Sequence, residues 1–128
     1  MALRDKLHVL VVDDMSTSRG LITQALDTIG VRNYRTADNG GHALDVLRQR
    51  PAHLVISDYN MPEMDGLHLL HHLRAGERTK HIGFILITGR AEQQIIDHGK
   101  KLGMNNFLRK PFQPPDLRNC IETVVGRL

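Results

Sequence analysis

The chain has 128 residues, 41% of them apolar, and a formal net charge of +3. That length supports a hydrophobic core without disulfides or a structural metal, and that composition excludes a disordered chain. The single cysteine excludes an internal disulfide, no stretch approaches the ~20 apolar residues of a membrane span, and the scattered Lys and Arg form no nucleic-acid-binding block.

In chain order, "LHVLVV" (Leu7 to Val12) reads as a buried strand. Ser16 can cap a first helix whose apolar face is Leu21, Ile22, Ala25, Leu26 and Ile29, and Gly30 stops it. "YRTA" is a short, polar strand. "DNGG" is a turn, and Ala43, Leu44, Val46 and Leu47 mark a second helix ended by Pro51. "HLVIS" is the third strand, and a third helix starts near Asp65. "GFILIT" is a fourth strand, Ala91 to Lys101 a fourth helix, and "NFLRK" a fifth strand. Pro114 and Pro115 open a last helix carried by Leu117, Ile121, Val124 and Val125. Cys120 falls on that apolar stripe and is expected to pack as a small hydrophobe.

Strands that alternate with helices predict an α/β fold, a doubly wound (βα)5 sandwich around a parallel sheet. The first, third and fourth strands are near-continuous apolar runs and belong in the centre. The second and fifth are mixed and belong at the edges. Right-handed crossovers then favour a five-stranded sheet of order 2-1-3-4-5, as in flavodoxin-like folds. With no linker, repeat or low-complexity segment, residues 1–128 are expected to form a single domain.

Ligands of such sheets bind at the carboxyl ends of the strands, where the winding reverses. The first strand ends in Asp13 and Asp14, the third in Asp58, the fourth in Thr88, and the fifth in Lys110 before Pro111. Crowded carboxylates repel: a pair at 4 Å costs about 4 kcal/mol at an effective dielectric of 20. A divalent cation relieves this, and an all-oxygen donor set suits Mg2+. Asp58 can then act as a nucleophile and form an acyl phosphate. Lys110 would neutralise phosphoryl charge, the Thr88 hydroxyl would donate to a phosphoryl oxygen, and backbone N–H groups after Asp58 could add donors. Each residue alone reads as a helix cap or a surface charge. Their joint placement at four strand ends carries the signal.

The stretches "VLVVDDMSTSR", "TADNGGHAL", "LVISDYNMPEMDGLHLL", "ILIT" and "NFLRKPF" resemble, in order and spacing, the receiver domain of two-component response regulators, and most of all its chemotaxis CheY group. The resemblance covers essentially the whole chain. It implies that Asp58 is the phosphoacceptor, served by a phosphohistidine on a histidine kinase. It implies Mg2+ ligation by Asp14, Asp58 and the Asn60 backbone carbonyl, with Asp13 acting mainly through water, and a cis peptide at Lys110–Pro111. It implies a switch made of Thr88 and the aromatic Phe107, which alters the face formed by the fourth helix, fifth strand and fifth helix. The expected protein is a signalling phosphoacceptor rather than an enzyme with an external substrate. It is cytoplasmic and monomeric, carries no output domain, binds neither nucleic acid nor membrane, and takes a flagellar motor switch protein as its target.

Three residues depart from the CheY pattern. Phe107 stands where Tyr is usual, so a rotamer switch survives without its hydroxyl. Arg90 replaces an acidic residue near the path of the hydrolytic water, which makes Arg90, with Asn60, a modulator of dephosphorylation. Gly89 widens the space beside Thr88. Alternative uses are a phosphate sink or a phosphorelay intermediate. A remoter alternative, an aspartate-nucleophile phosphohydrolase, would place D-x-D after its first strand, whereas this strand ends in D-D. His68, His71 and His72 have metal-binding spacing but lie opposite Leu69, Leu70 and Leu73, which predicts a solvent face without zinc.

Overall fold

The computed structural model describes residues 2–90 and 92–128. Its elements run α1 (Leu3–Lys6), β1 (Val9–Val12), α2 (Ser16–Thr28), β2 (Tyr34–Ala37), α3 (Gly40–Gln49), β3 (Leu54–Asp58), α4 (Gly66–Ala75), β4 (Gly83–Thr88), α5 (Gln93–Lys101), β5 (Asn106–Arg109) and α6 (Pro114–Val125). All strand pairs are parallel, in the order β2-β1-β3-β4-β5. Every residue of β1 and β3 is buried, while β2 and β5 are mostly half-buried. Strand apolarity therefore places the centre and the edges as expected.

Successive strand residues face opposite layers. Leu10, Val12, Val55, Phe84 and Leu86 pack against Ala43 and Leu47 of α3, Leu69, Leu70 and Leu73 of α4, and Ile95 of α5. Val9, Val11, Ile56, Ile85 and Ile87 pack against Ile22 and Leu26 of α2 and Leu117, Cys120 and Ile121 of α6. Fully burying each such Leu, Ile or Phe contributes roughly 1.5–3 kcal/mol before chain entropy is subtracted. Cys120 joins this core as expected, and burial pushes its thiol up to about 11.

Local chemistry fixes the helix starts. Asn39 accepts from the His42 N–H at 2.8 Å at the head of α3, and Asp65 accepts from the His68 N–H at 2.8 Å at the head of α4. Pro114 opens α6 behind a capping box of Gln113 and Asp116. Four details differ from the sequence reading. A one-turn helix, α1, precedes β1, which starts at Val9 rather than Leu7. Ser16 is the first residue of α2 and not its cap; the Asp13 carboxylate takes the Met15 N–H at 3.0 Å. Leu21 is 59% exposed, off the apolar face that Ile22, Ala25 and Leu26 bury. The fourth crossover helix starts at Gln93, after Glu92 at the cap, and Ala91 lies outside the described residues.

Among the described residues, no helix is long and apolar enough to cross a membrane.

Candidate functional site

Sheet register assembles the rim. Val12, the residue before Asp13, pairs with Ser57, the residue before Asp58. Asp58 pairs with Ile87, so Thr88 projects one step beyond it, and Thr88 pairs with Arg109, the residue before Lys110. A one-residue slip of any pair would turn these side chains to the other face. The buried β1 and β3 therefore fix the site as well as the core.

Asp13, Asp14 and Asp58 offer carboxylate oxygens that all lie within 4.8 Å of one another. Asp13 is fully buried and Asp58 nearly so, whereas Asp14 is exposed. Lys110 reaches over from the edge strand: its Nζ is 2.9 Å from Asp58 Oδ1 and 3.8 Å from Asp13 Oδ2. Burial pushes the Asp58 carboxyl above the usual carboxylate range. Lys110 pulls it back, and the Asp13 and Asp14 charges push it up again. One ammonium facing three carboxylates leaves the rim short of positive charge. This donor set, all oxygen and partly open to solvent, fits Mg2+ through Asp13, Asp14 and Asp58. Asn60 is exposed in the loop after β3, within two residues of Asp58.

Thr88 is buried at the rim. Its Oγ1 accepts from the Arg90 N–H at 2.9 Å. The Arg90 guanidinium turns outward to Glu92 at 3.1 Å. A Cβ added at Gly89 would meet no atom within 4 Å, so packing does not require a glycine next to Thr88. The Tyr59 N–H donates to the Ile87 carbonyl at 2.9 Å, so it extends the sheet and is not a spare donor for a ligand. Phe107 is half-buried against the core at the edge strand. The Lys110–Pro111 peptide is cis.

Two features are new. Ser18 Oγ donates to Asp13 Oδ2 at 2.5 Å and receives Lys110 Nζ at 3.0 Å, so one hydroxyl orients both an acid and the amine. Arg19 Nη1 donates to the Asp13 carbonyl at 2.8 Å. Nothing in the spacing of "STSR" distinguishes these two from ordinary first-turn residues. Gly66 has a steric duty: a Cβ there would lie 2.5 Å from the Asp58 carbonyl oxygen and 2.7 Å from Leu86 Cδ1. Its N–H closes the loop onto the Tyr59 carbonyl at 2.8 Å, and Glu63 within that loop holds a left-handed φ of 66°. His68, His71 and His72 lie on the exposed side of α4. Among the described residues, the three aspartates are the one group of His, Cys, Asp or Glu side chains with metal-ligand spacing.

The family model of the response regulator receiver domain matches residues 9–122. The chain belongs to that family. A receiver from Rhizobium etli, named a probable chemotaxis protein CheY, is 38% identical over 128 residues, covering 100% of this chain and 99% of its own. The Vibrio cholerae chemotaxis protein CheY-3 is 34% identical, covering 98% of this chain and 97% of its own. In three dimensions the receiver is similar to Vibrio cholerae CheY4, with a TM-score of 0.86 at 29% identity, covering 92% of this chain and 98% of that one. The fold and the family expected from the sequence are both shown.

Proposed function

We propose that Asp58 is the phosphoacceptor of a chemotaxis response regulator and that a histidine kinase supplies the phosphoryl group. The observation that carries this reading is the buried Asp58 carboxylate at the end of β3, facing Lys110 at 2.9 Å within a ring of acids. An Asp58 oxygen attacks the phosphorus, the N–P bond of the phosphohistidine breaks, and the leaving imidazole takes up a proton. Lys110 Nζ and the Thr88 hydroxyl meet the new phosphoryl oxygens, and Ser18 holds the amine in place. Asp13, Asp14, Asp58 and the Asn60 carbonyl would hold Mg2+, which supplies the positive charge that the acid ring lacks. The family receives phosphate and signals; turnover of an external substrate is no part of this reading.

The surroundings support a macromolecular donor. Met15 and Leu21 of the α2 end are 61% and 59% exposed. Leu21 lines, with Lys110, a groove of about 570 Å³ that Ala25, Pro111, Phe112 and Pro114 complete. Exposed apolar surface next to a rim of charges marks a docking face for another protein.

The output reading is a shift of Thr88 and Phe107 that changes the face of α5, β5 and α6, where a flagellar motor switch protein binds. Support comes from relatives named for chemotaxis that match along their whole length. This reading makes the protein a cytoplasmic monomer. Pull-down by the motor switch protein, with and without phosphorylation, tests it. Retention only of the phosphorylated form is expected. Equal or no retention in both states leaves the phosphate-sink or phosphorelay use in its place.

A further inference from the structure

Three of the arginines that look scattered in sequence, Arg32, Arg35 and Arg50, are gathered by the fold at the end of the sheet opposite Asp58. At the edge where β1 and β2 begin, Arg32, Arg35, Arg50 and His8 line one notch of about 190 Å³, with Asn33 and Tyr34. No carboxylate side chain lines it. Basic residues at helix C-termini are expected from the macrodipole, and Arg48 at the end of α3 is explained that way, as is its pairing with Asp45. Arg32 and Arg35 are not. They lie beyond the end of α2, in the connection to β2 and in β2 itself.

Arg35 is held in place. Its Nη2 donates to the Arg50 carbonyl at 2.9 Å and to the Pro51 carbonyl at 3.1 Å. Those carbonyls fix the guanidinium but bring no negative charge. Burial, and then the nearby Arg50 charge, push Arg35 below its ordinary value. Like charges are thus crowded at this end, and among the described residues none of Arg32, Arg35 and Arg50 forms an ion pair; the carboxylate at the margin, Asp27, accepts from the Tyr34 hydroxyl at 2.9 Å. Guanidinium forks match phosphate oxygens in geometry and charge.

We infer that the notch formed by Arg32, Arg35, Arg50 and His8 is a binding site for a small anion bearing two or more phosphate groups. The site lies at the far end of β1 from Asp13, so its occupancy and phosphorylation of Asp58 can coexist. The same chemistry is offered by a soluble polyphosphate and by a polyphosphorylated lipid headgroup.

The test uses the full chain in chelator, which keeps Mg2+–pyrophosphate from forming at the acid ring. Inorganic pyrophosphate is titrated while backbone amide shifts are followed by NMR. Shifts confined to His8, residues 32–35 and Arg50, weakening as salt rises, are expected. Arg32→Gln and Arg50→Gln should each weaken binding about tenfold, the effect of losing one charge-assisted contact. Among the described residues neither side chain carries a hydrogen bond of the fold, so both variants should fold even if Arg35→Gln does not. Lys101→Gln, at the end of α5 near the opposite edge of the sheet, should leave binding unchanged. Acetyl phosphate labelling of Arg32→Gln should match wild type, so failure of the notch and failure of the phosphoacceptor reading are separable. Flotation with vesicles of phosphatidylcholine, with and without a polyphosphorylated inositol lipid, distinguishes the sources. Pyrophosphate binding with vesicle retention supports a headgroup, and pyrophosphate binding without it supports a soluble ligand. No pyrophosphate binding, shifts centred on Lys110, or equal weakening by Lys101→Gln would overturn the inference.

Discussion

Lys110 Nζ stands 2.9 Å from Asp58 Oδ1 although Asp58 ends β3, Lys110 follows β5, and β4 lies between those strands. The contact spans the rim and leaves the Lys110 side chain 31% exposed. It opposes the burial that otherwise favours a neutral Asp58. Replacing Lys110 by Ala should raise the Asp58 carboxyl further and slow its phosphorylation by acetyl phosphate at least tenfold. A rate equal to wild type would remove Lys110 from the chemistry.

Asp58 also makes stability depend on pH. Its folded value lies above its unfolded value, so the folded state binds the proton more tightly. The contribution of this group to stability is largest below the unfolded carboxylate range and is lost as pH rises through the folded value. In chelator, the stability difference between wild type and Asp58→Asn should therefore move against wild type across that window. Urea titrations at a series of pH values check it; a difference that does not change with pH would contradict the burial account. Asp14 is exposed and screened, so Asp14→Asn should change metal-free stability by under about 1 kcal/mol.

Mg2+ should stabilise wild type by about 2.7 kcal/mol at a hundred times its dissociation constant. Asp14→Asn and Asp58→Asn should each gain much less, because a ligand is lost. Equal gains in all three proteins would place the metal elsewhere.

Gly66 cannot accept a side chain without moving Asp58. Gly66→Ala should cost roughly 1–3 kcal/mol, the usual penalty for overpacking, and slow phosphorylation with it. A variant as stable and as fast as wild type would show that the β3–α4 loop yields freely.

Arg90 should act on the lifetime of the phosphorylated state. Its guanidinium pairs with Glu92 outside the rim, while its backbone N–H holds Thr88 Oγ1. Arg90→Glu exchanges that ion pair for repulsion and restores the acid that the resemblance to CheY places near the hydrolytic water. The half-life of the aspartyl phosphate should shorten several-fold, and an unaltered half-life would exclude Arg90 from hydrolysis.

Strand order and the rim were legible because both follow from burial. Val9–Val12, Leu54–Ser57 and Phe84–Ile87 are apolar runs that only central parallel strands explain, and each hands its next chemical residue to the same end of the sheet. What was hidden depends on side-chain direction. Leu21 fits the helical period of Ile22 and Ala25 but sits at the edge of the buried stripe. Ser16 has the chemistry of a cap, yet the helix already includes it, and Met15 stands at the cap with its N–H on the Asp13 carboxylate. Ser18 joins the site only because Lys110, far along the chain, arrives beside it. Phe107 and Asn60 show where position alone stops: the fold puts both near the rim, and their duties still rest on family resemblance.

The most direct test of the account is mass analysis of the protein after incubation with acetyl phosphate and Mg2+, for wild type and for Asp58→Asn shown to be folded. The account predicts a single phosphoryl group on wild type, placed on Asp58 by fragmentation, and none on the variant. Undiminished labelling of the folded variant would contradict it.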